Sequence, residues 1–445
     1  MVFDVIVIGS GVAGLSTAFG LSKGGKKVAV IESTFFGGVV YNVGSTRKKE
    51  LVTITQHALQ NQRFEAHGIT TPVELDWQDA MNWIDSIEAD EDNQHQLALK
   101  EAGITTIYGT ATFVSPNEVK VDGIVYSAEQ FVIASGGTDR PFSFEGINYL
   151  SDSAVFLTQK ELPKTAIFIG AGIISFAFTT IAATFGCNVI VLQHDERALK
   201  NFDQEFVSQL IEINKKRGVS FHFNESVKKI EKTEEDTLRV QTESGEVFEV
   251  DQVYNVAGRV PLIDSLKLEN AQVLYDAHGI DTNEYLQTNQ SHIFACGDCS
   301  NANVPKLATF AAYQADYLVS YLLKKELAPI RYPMASTSIF SEPRIAQVGV
   351  TTAQALAEPE EYVVEEMDIS KWLDSKRKNE NPALLKIVTR RSDDRVAGAT
   401  VMSQEADIFI NYITMALYAE WTKDDLKKQI YAYPSLVNDM TRFWK

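Results

Sequence analysis

The sequence predicts an α/β protein with two β-α-β units followed by a C-terminal α+β segment. Three observations carry this. A Gly-rich turn lies between an apolar strand and a helix at residues 9–14. The same pattern restarts roughly 160 residues later, at 170–175. From about Tyr332 the Gly-rich turns stop, and strands and helices alternate differently. Hydrophobic period and turn residues carry each assignment.

The elements follow in order. Residues 4–8 read as a short buried strand, and a helix follows the turn. Residues 27–31 form the second strand of the unit. A helix is expected over 48–60, and the polar run 90–96 lies on an exposed helix face. Residues 130–134 read as another strand. The second unit has a strand at 166–169, a turn at 170–172, an apolar helix at 173–185 and a strand at 188–192. In the last segment, 346–350 and 384–388 read as strands, and 408–418 and 423–431 as helices.

Composition narrows the classes. A chain of 445 residues is too long for one core, so two or three domains are expected. Lys plus Arg is 41 and Asp plus Glu is 59, a formal charge of −18. Such a surface repels phosphate backbones and anionic lipid, so neither nucleic acid nor membrane is expected as a partner. No apolar run approaches the ~18–20 residues of a membrane span. The start Met1-Val2-Phe3-Asp4 carries no basic leader, and three cysteines are too few for a disulfide scaffold. A cytoplasmic protein is the expectation.

Gly9-Ser10-Gly11-Val12-Ala13-Gly14 has G-x-G-x-x-G spacing. Gly9 permits the tight turn, Gly11 lets the backbone approach a pyrophosphate, and Gly14 lets helix and strand pack closely. The helix N-terminus turns its positive end to the phosphates. Glu32, 23 residues after Gly9, suits a ribose diol. Strand, helix and acid together indicate a Rossmann-like dinucleotide site.

Further segments carry a resemblance. Residues Gly37-Gly38-Val39-Val40-Tyr41-Asn42-Val43-Gly44-Ser45 resemble the redox segment of glutathione reductase and dihydrolipoamide dehydrogenase. Ile133-Ala134-Ser135-Gly136 and Ile293-Phe294-Ala295-Cys296-Gly297-Asp298 resemble the second and third flavin motifs. Ala257-Gly258-Arg259-Val260-Pro261 resembles the exit from the nicotinamide domain. Residues 342–349 are similar to the start of the dimerisation domain. Together they resemble the pyridine nucleotide-disulfide oxidoreductase family over nearly the whole chain.

The resemblance implies two Rossmann-like dinucleotide-binding domains plus a C-terminal α+β dimerisation domain. It implies FAD on Gly9, Gly11, Gly14, Glu32, Gly38, Ala111, Gly136 and Asp298, with Asp298 on the ribityl chain. Gly109, Ala111 and Phe113 suit the strand beside the adenine. The implied limits are 1–149 and 263–328 for the FAD domain, 150–262 for the nicotinamide domain, and 329–445 for the segment that makes a homodimer.

The departures are equally informative. The family carries Cys-x-x-x-x-Cys where this chain has Val40 and Ser45. Its His-Pro-Thr-x-x-Glu reads here Tyr433-Pro434-Ser435-Leu436-Val437-Asn438, and no His follows His292. The thiolate, the second sulfur, the acid/base and its partner are all missing, so disulfide reduction is not expected. Cys296 and Cys299 have C-x-x-C spacing, but packing is the expected role, and no metal site is expected.

In the second unit, Gly170-Ala171-Gly172-Ile173-Ile174-Ser175 has small Ser175 at the packing position. An acid at the Gln193 position would favour NAD, and Arg nearby would favour NADP. Gln193 is neither. His194, Arg197 and Lys200 tilt the balance to NADP(H), with NAD(H) open. Ile173 replaces an aromatic gate of the family. Ala177 replaces a Glu that pairs with a Lys near flavin N5, here Lys48 or Lys49.

The expected function is FAD-dependent NAD(P)H oxidation with a small-molecule, non-disulfide acceptor: a quinone or dye, oxygen, a metal ion or a second pyridine nucleotide. Val40, Ser45 and Tyr433, the last from a second subunit, are expected at the acceptor face. An FAD-binding sensor with little turnover is the alternative.

Overall fold

The structure, a computed structural model, describes residues 2–323 and 328–441. Residues 1, 324–327 and 442–445, which fall within the expected limits of the first, third and fourth segments, lie outside the described residues.

The first sheet is built on β1 (Val2–Ile8). Helix α1 (Val12–Lys23) leads to β2 (Val28–Glu32), which pairs with β1 in parallel. Apart from Asp4 and Glu32 both strands are apolar, because both faces are covered: Val5, Val7, Val28 and Val30 pack with Leu15 and Leu21 of α1, and Phe3, Ile6, Ala29 and Ile31 pack with Phe113, Leu266 and Leu268. Beyond β2 come α2 (Gly38–Asn42), α3 (Ser45–Arg63), α4 (Trp77–Ile87) and α5 (Glu91–Glu101), then β3 (Thr105–Tyr108) at the sheet edge. The meander β4 (Thr112–Ser115), β5 (Glu118–Val121) and β6 (Ile124–Ile133) closes the other side. The order is β3-β2-β1-β6-β5-β4, and Ile293–Ala295 adds in parallel to the end of β6.

Sequence reading captured only the last residues of β6. Its first half pairs antiparallel with β5 across Asp122-Gly123, both at positive φ. That dipeptide is a strong tight-hairpin signal. Helix α3 likewise starts earlier and ends later than 48–60, and α5 extends the exposed 90–96 run with Leu99 as its buried residue.

The second sheet is parallel. Its order is Ser220–Phe223, Asn188–Gln193, Thr165–Ile169, Gln252–Asn255 and Leu150–Ser151. The helix Ile173–Thr184 is apolar on all sides and almost wholly buried. Such a helix needs cover all round, and α3 supplies it from the first lobe. The third sheet is antiparallel, from Thr337–Ile339 through Arg344–Gly349, Val396–Ser403 and Leu384–Arg390 to Tyr362–Asp368. The helix Ala406–Tyr418 packs on it. One core joins helices α3 and α4 of the first lobe to the second and third sheets, from Leu51 and Val52 through Phe176 and Phe178 to Ile345 and Met402, while the first sheet packs into cores of its own. The fold is the expected α/β class with a C-terminal α+β segment.

Candidate active site

Both Gly-rich turns open into one cavity of about 960 Å³. Parallel strands place their C-terminal ends there, which is where ligands of open α/β sheets bind. Gly9 takes φ +99°, and an added Cβ would lie 2.3 Å from Ala134 O, so only glycine fits the turn. Gly14 is filled from behind, because its Cβ would fall 1.9 Å from Gly9 O. At Gly11 and Gly172, by contrast, an added Cβ would meet nothing within 4 Å. These two positions leave backbone bare toward the cavity at the N-termini of α1 and Ile173–Thr184. Bare backbone there suits the pyrophosphates of two dinucleotides, so the residues present fit FAD and a nicotinamide nucleotide.

Of the residues singled out from sequence, Gly9, Gly11, Glu32, Gly38, Val40, Ser45, Lys48, Ala111, Gly136, Gly170, Gly172, Gln193, His194, Arg197, Lys200, Gly258 and Asp298 line the cavity. Four do not. Gly14 and Ser175 pack behind the turns, Ser175 being buried in its helix. Lys49 is turned outward, its ammonium 5.1 Å from the centre of the Phe340 ring. Tyr433 is 65% exposed and away from the cavity of its own chain. Lys48 and Lys49 are separated by one helical step of about 100°, so α3 can turn only one of them inward. Lys48 sits on the stripe of Val52, Thr55 and Leu59, which are buried. That spacing was the available signal, because residues four and seven apart share a helix face.

The two strand-end residues are locked in parallel fashion. Glu32 Oε2 accepts the Ser10 N–H at 2.9 Å and the Ser10 hydroxyl at 2.6 Å. Gln193 Oε1 accepts the Ala171 N–H at 2.9 Å, and its Nε2 donates to Asp195 at 2.8 Å. Asp195 also meets His194 Nε2 at 3.1 Å and the Lys200 ammonium. Burial opposes its ionisation, but hydrogen bonds from Lys200 and Gln193 prevail and hold the carboxyl at about 2.

Charge in the cavity runs against the rest of the chain. Lys48, Arg140, Arg197, Lys200, Arg259 and Lys306 line it, against Glu32 and Asp298. Low-dielectric walls focus such a field and draw in polyanions. Arg140 and Lys306 went unnoticed in sequence, where nothing local marks them. Arg259 pairs with Asp139 at 3.2 Å. Burial raises the Asp298 carboxyl, opposed by Arg259 and Lys306. Burial, with Lys49 adjacent, lowers the Lys48 ammonium to about 8. Lys48 makes no ion pair with any described residue, and Ala177 is fully buried in the facing helix.

Val40 and Ser45 form the wall where the resemblance places two sulfurs. The three cysteines are free and buried. Cys299 Sγ donates to Ile133 O at 3.3 Å, and burial pushes both the Cys296 and Cys299 thiols up. Among the described residues no three His, Cys, Asp or Glu converge to hold a metal ion, and no helix is long and apolar enough to cross a membrane.

Comparison with known proteins agrees with this geometry. Residues 3–315 match the pyridine nucleotide-disulphide oxidoreductase family, and residues 335–442 match its dimerisation domain. Dihydrolipoyl dehydrogenase of Bacillus subtilis (strain 168) is 29% identical over 97% of this chain and 94% of its own length. Glutathione reductase of Burkholderia cepacia is 28% identical over 98% of this chain and 97% of its own length. Mercuric reductase of Staphylococcus aureus is 26% identical over 98% of this chain and 81% of its own length. In fold, the HOCl-induced flavoprotein disulfide reductase RclA from Escherichia coli superposes with a TM-score of 0.89, at 24% identity, over 99% of this chain and 98% of that chain. The chain is an FAD-dependent NAD(P)H oxidoreductase and belongs to the pyridine nucleotide-disulphide oxidoreductase family.

Proposed function

We propose that this chain takes electrons from NADPH, in preference to NADH, and delivers them to a small acceptor that is not a disulfide. The observation that carries this is the cavity wall at Val40 and Ser45, which offers no sulfur. FAD, when bound, accepts two electrons from reduced nicotinamide and passes them on. The chain binds and orients the partners.

Gly9 and Gly11 admit the FAD pyrophosphate to the α1 N-terminus, with Gly14 packed behind. Glu32 takes the ribose diol and Asp298 the ribityl chain. Gly38, Ala111 and Gly136 wall the site, and Lys48 faces the isoalloxazine. Gly170, Gly172 and Gly258 admit the nicotinamide nucleotide, with Ser175 packed behind. His194, Arg197 and Lys200 select its 2′-phosphate, because both ends of the Gln193 amide are already engaged.

The segment limits 1–149, 150–262, 263–328 and 329–445 belong to this reading, and the three largest sheets support them. So does a homodimer: Ile408, Met415 and Tyr418 form an exposed stripe on Ala406–Tyr418, and Tyr433 is exposed on the same segment. We place the protein in the cytoplasm, a compartment that suits free thiols.

Anaerobic stopped-flow mixing of the FAD-loaded protein with NADPH or NADH tests the proposal. Sub-second bleaching of the flavin, followed by no turnover of glutathione disulfide or lipoamide, is expected. One observation favours a second reading, a low-turnover FAD sensor: Ala177 gives Lys48 no carboxylate partner. That reading expects no bleaching.

A further inference from the structure

The acceptor's chemical class follows from what surrounds the missing sulfurs. Val39, Val40, Gly44 and Ser45 present a small, largely apolar surface to the cavity, and Val39 is 41% exposed there. The charged residue among them is Lys48, an ammonium with no ion-pair partner among the described residues. A cation in a desolvated wall repels metal ions and favours an acceptor whose oxygens become negative on reduction. No convergent ligand set stands ready for a metal ion among the described residues. A second pyridine nucleotide would enter the turn at Gly170 and Gly172 after the first has left, and would make no use of this wall.

We infer that the acceptor is a quinone, held against Val39, Val40 and Ser45 with Lys48 facing it; this rests on the reading that the cavity holds FAD and a nicotinamide nucleotide. The balance is NAD(P)H + H⁺ + quinone giving NAD(P)⁺ + quinol. The nicotinamide gives up two electrons and one proton, and the second proton is the H⁺ drawn from solvent. Both quinone carbonyls become hydroxyls. Lys48 offsets the charge that gathers on a carbonyl oxygen before protonation. The apolar wall takes the flat ring, much as concave ligand sites pair apolar walls with one or two polar groups.

The test uses FAD-loaded protein. Bleaching by NADPH or NADH, read before any acceptor is added, checks the underlying reading; its absence sinks that reading and the quinone with it. Given bleaching, turnover is compared for 2-methyl-1,4-naphthoquinone, a copper(II) chelate and oxygen. The quinone kcat/KM is expected to exceed the others by ~tenfold or more, the weight of one well-placed charged contact. Without nucleotide, titrating the oxidised protein with the naphthoquinone is expected to perturb the visible flavin band saturably. Lys48→Met is expected to weaken that binding and kcat/KM ~tenfold, and Lys48→Arg to restore most of both. If Lys48→Met loses FAD, Val40→Asp replaces it: an anion on the apolar wall is expected to lower quinone turnover and raise copper(II) turnover. Quinone turnover no faster than copper or oxygen overturns the proposal. So does quinone binding that is indifferent to both substitutions.

Discussion

Gln193 Oε1 accepts the backbone N–H of Ala171 at 2.9 Å, closing the second Gly-rich turn as Glu32 closes the first on Ser10. The same lock is made with an amide in one lobe and a carboxylate in the other. The amide therefore leaves the ribose side of the second lobe to its cations. Replacing both Arg197 and Lys200 by Ala is expected to raise the KM for NADPH ~tenfold or more, at ~1–2 kcal/mol per charge-assisted contact, and to leave that for NADH within a few-fold. Steady-state kinetics with both nucleotides checks it, and equal losses would mean that these side chains do not read the 2′-phosphate.

Lys48 sits at about 8 against an ordinary 10.5. Between those values the unfolded chain binds more protons than the folded one, so stability rises with pH across that window. Below pH 8 the buried ammonium costs about 3 kcal/mol in the FAD-free protein, from 1.36 kcal/mol per unit. Lys48→Met is expected to stabilise that form at pH 7 and to flatten the rise between pH 8 and 10.5. Urea midpoints at a series of pH values read both effects.

Glu88 is pushed up to about 7 by burial and by Glu50, with Arg47 opposing. A carboxyl raised in this way contributes stability below its unfolded value of 4.5, and that contribution is lost as pH rises through about 7. Glu88→Gln cannot ionise, so its melting temperature is expected to fall less than that of the wild-type protein between pH 5 and 8. Thermal unfolding at the two pH values decides.

Lys386 is a buried strut between lobes. It reaches Asp203 at 3.1 Å and Glu205 at 2.7 Å, and its side chain is 6% exposed. Asp203 caps Gln204–Lys216 by accepting the Glu205 and Phe206 N–H groups. Lys386→Met leaves a buried carboxylate uncompensated and is expected to cost ~3–5 kcal/mol. The denaturant midpoint measures it, and a change under ~1 kcal/mol would show that solvent screens the group.

Cys187, Cys296 and Cys299 are buried free thiols. A chromogenic disulfide reagent is expected to titrate none of them in the folded protein and all of them in denaturant. Rapid reaction of Cys296 or Cys299 in the native state would reopen a sulfur relay.

Some of this was legible in the sequence, because it is local chemistry. The two Gly-rich turns, Glu32, Gln193 and the absence of cysteine at Val40 and Ser45 depend on residue type and short spacing. Those features alone specify nucleotide turns and exclude a thiolate. The family resemblance extended them to Asp298 and Gly258, far along the chain.

Tertiary structure alone decided the rest. It made the α3 face that Lys48 shares with Val52 and Thr55 the cavity side, and set Lys49 onto Phe340, when α3 packed against Ile173–Thr184. It brought Arg140 and Lys306 to the same cavity. It also set Asp195 behind His194 and Lys200, spending part of their charge within the protein. These outcomes depend on which helix faces meet across lobes far apart in sequence, and no local spacing encodes that meeting.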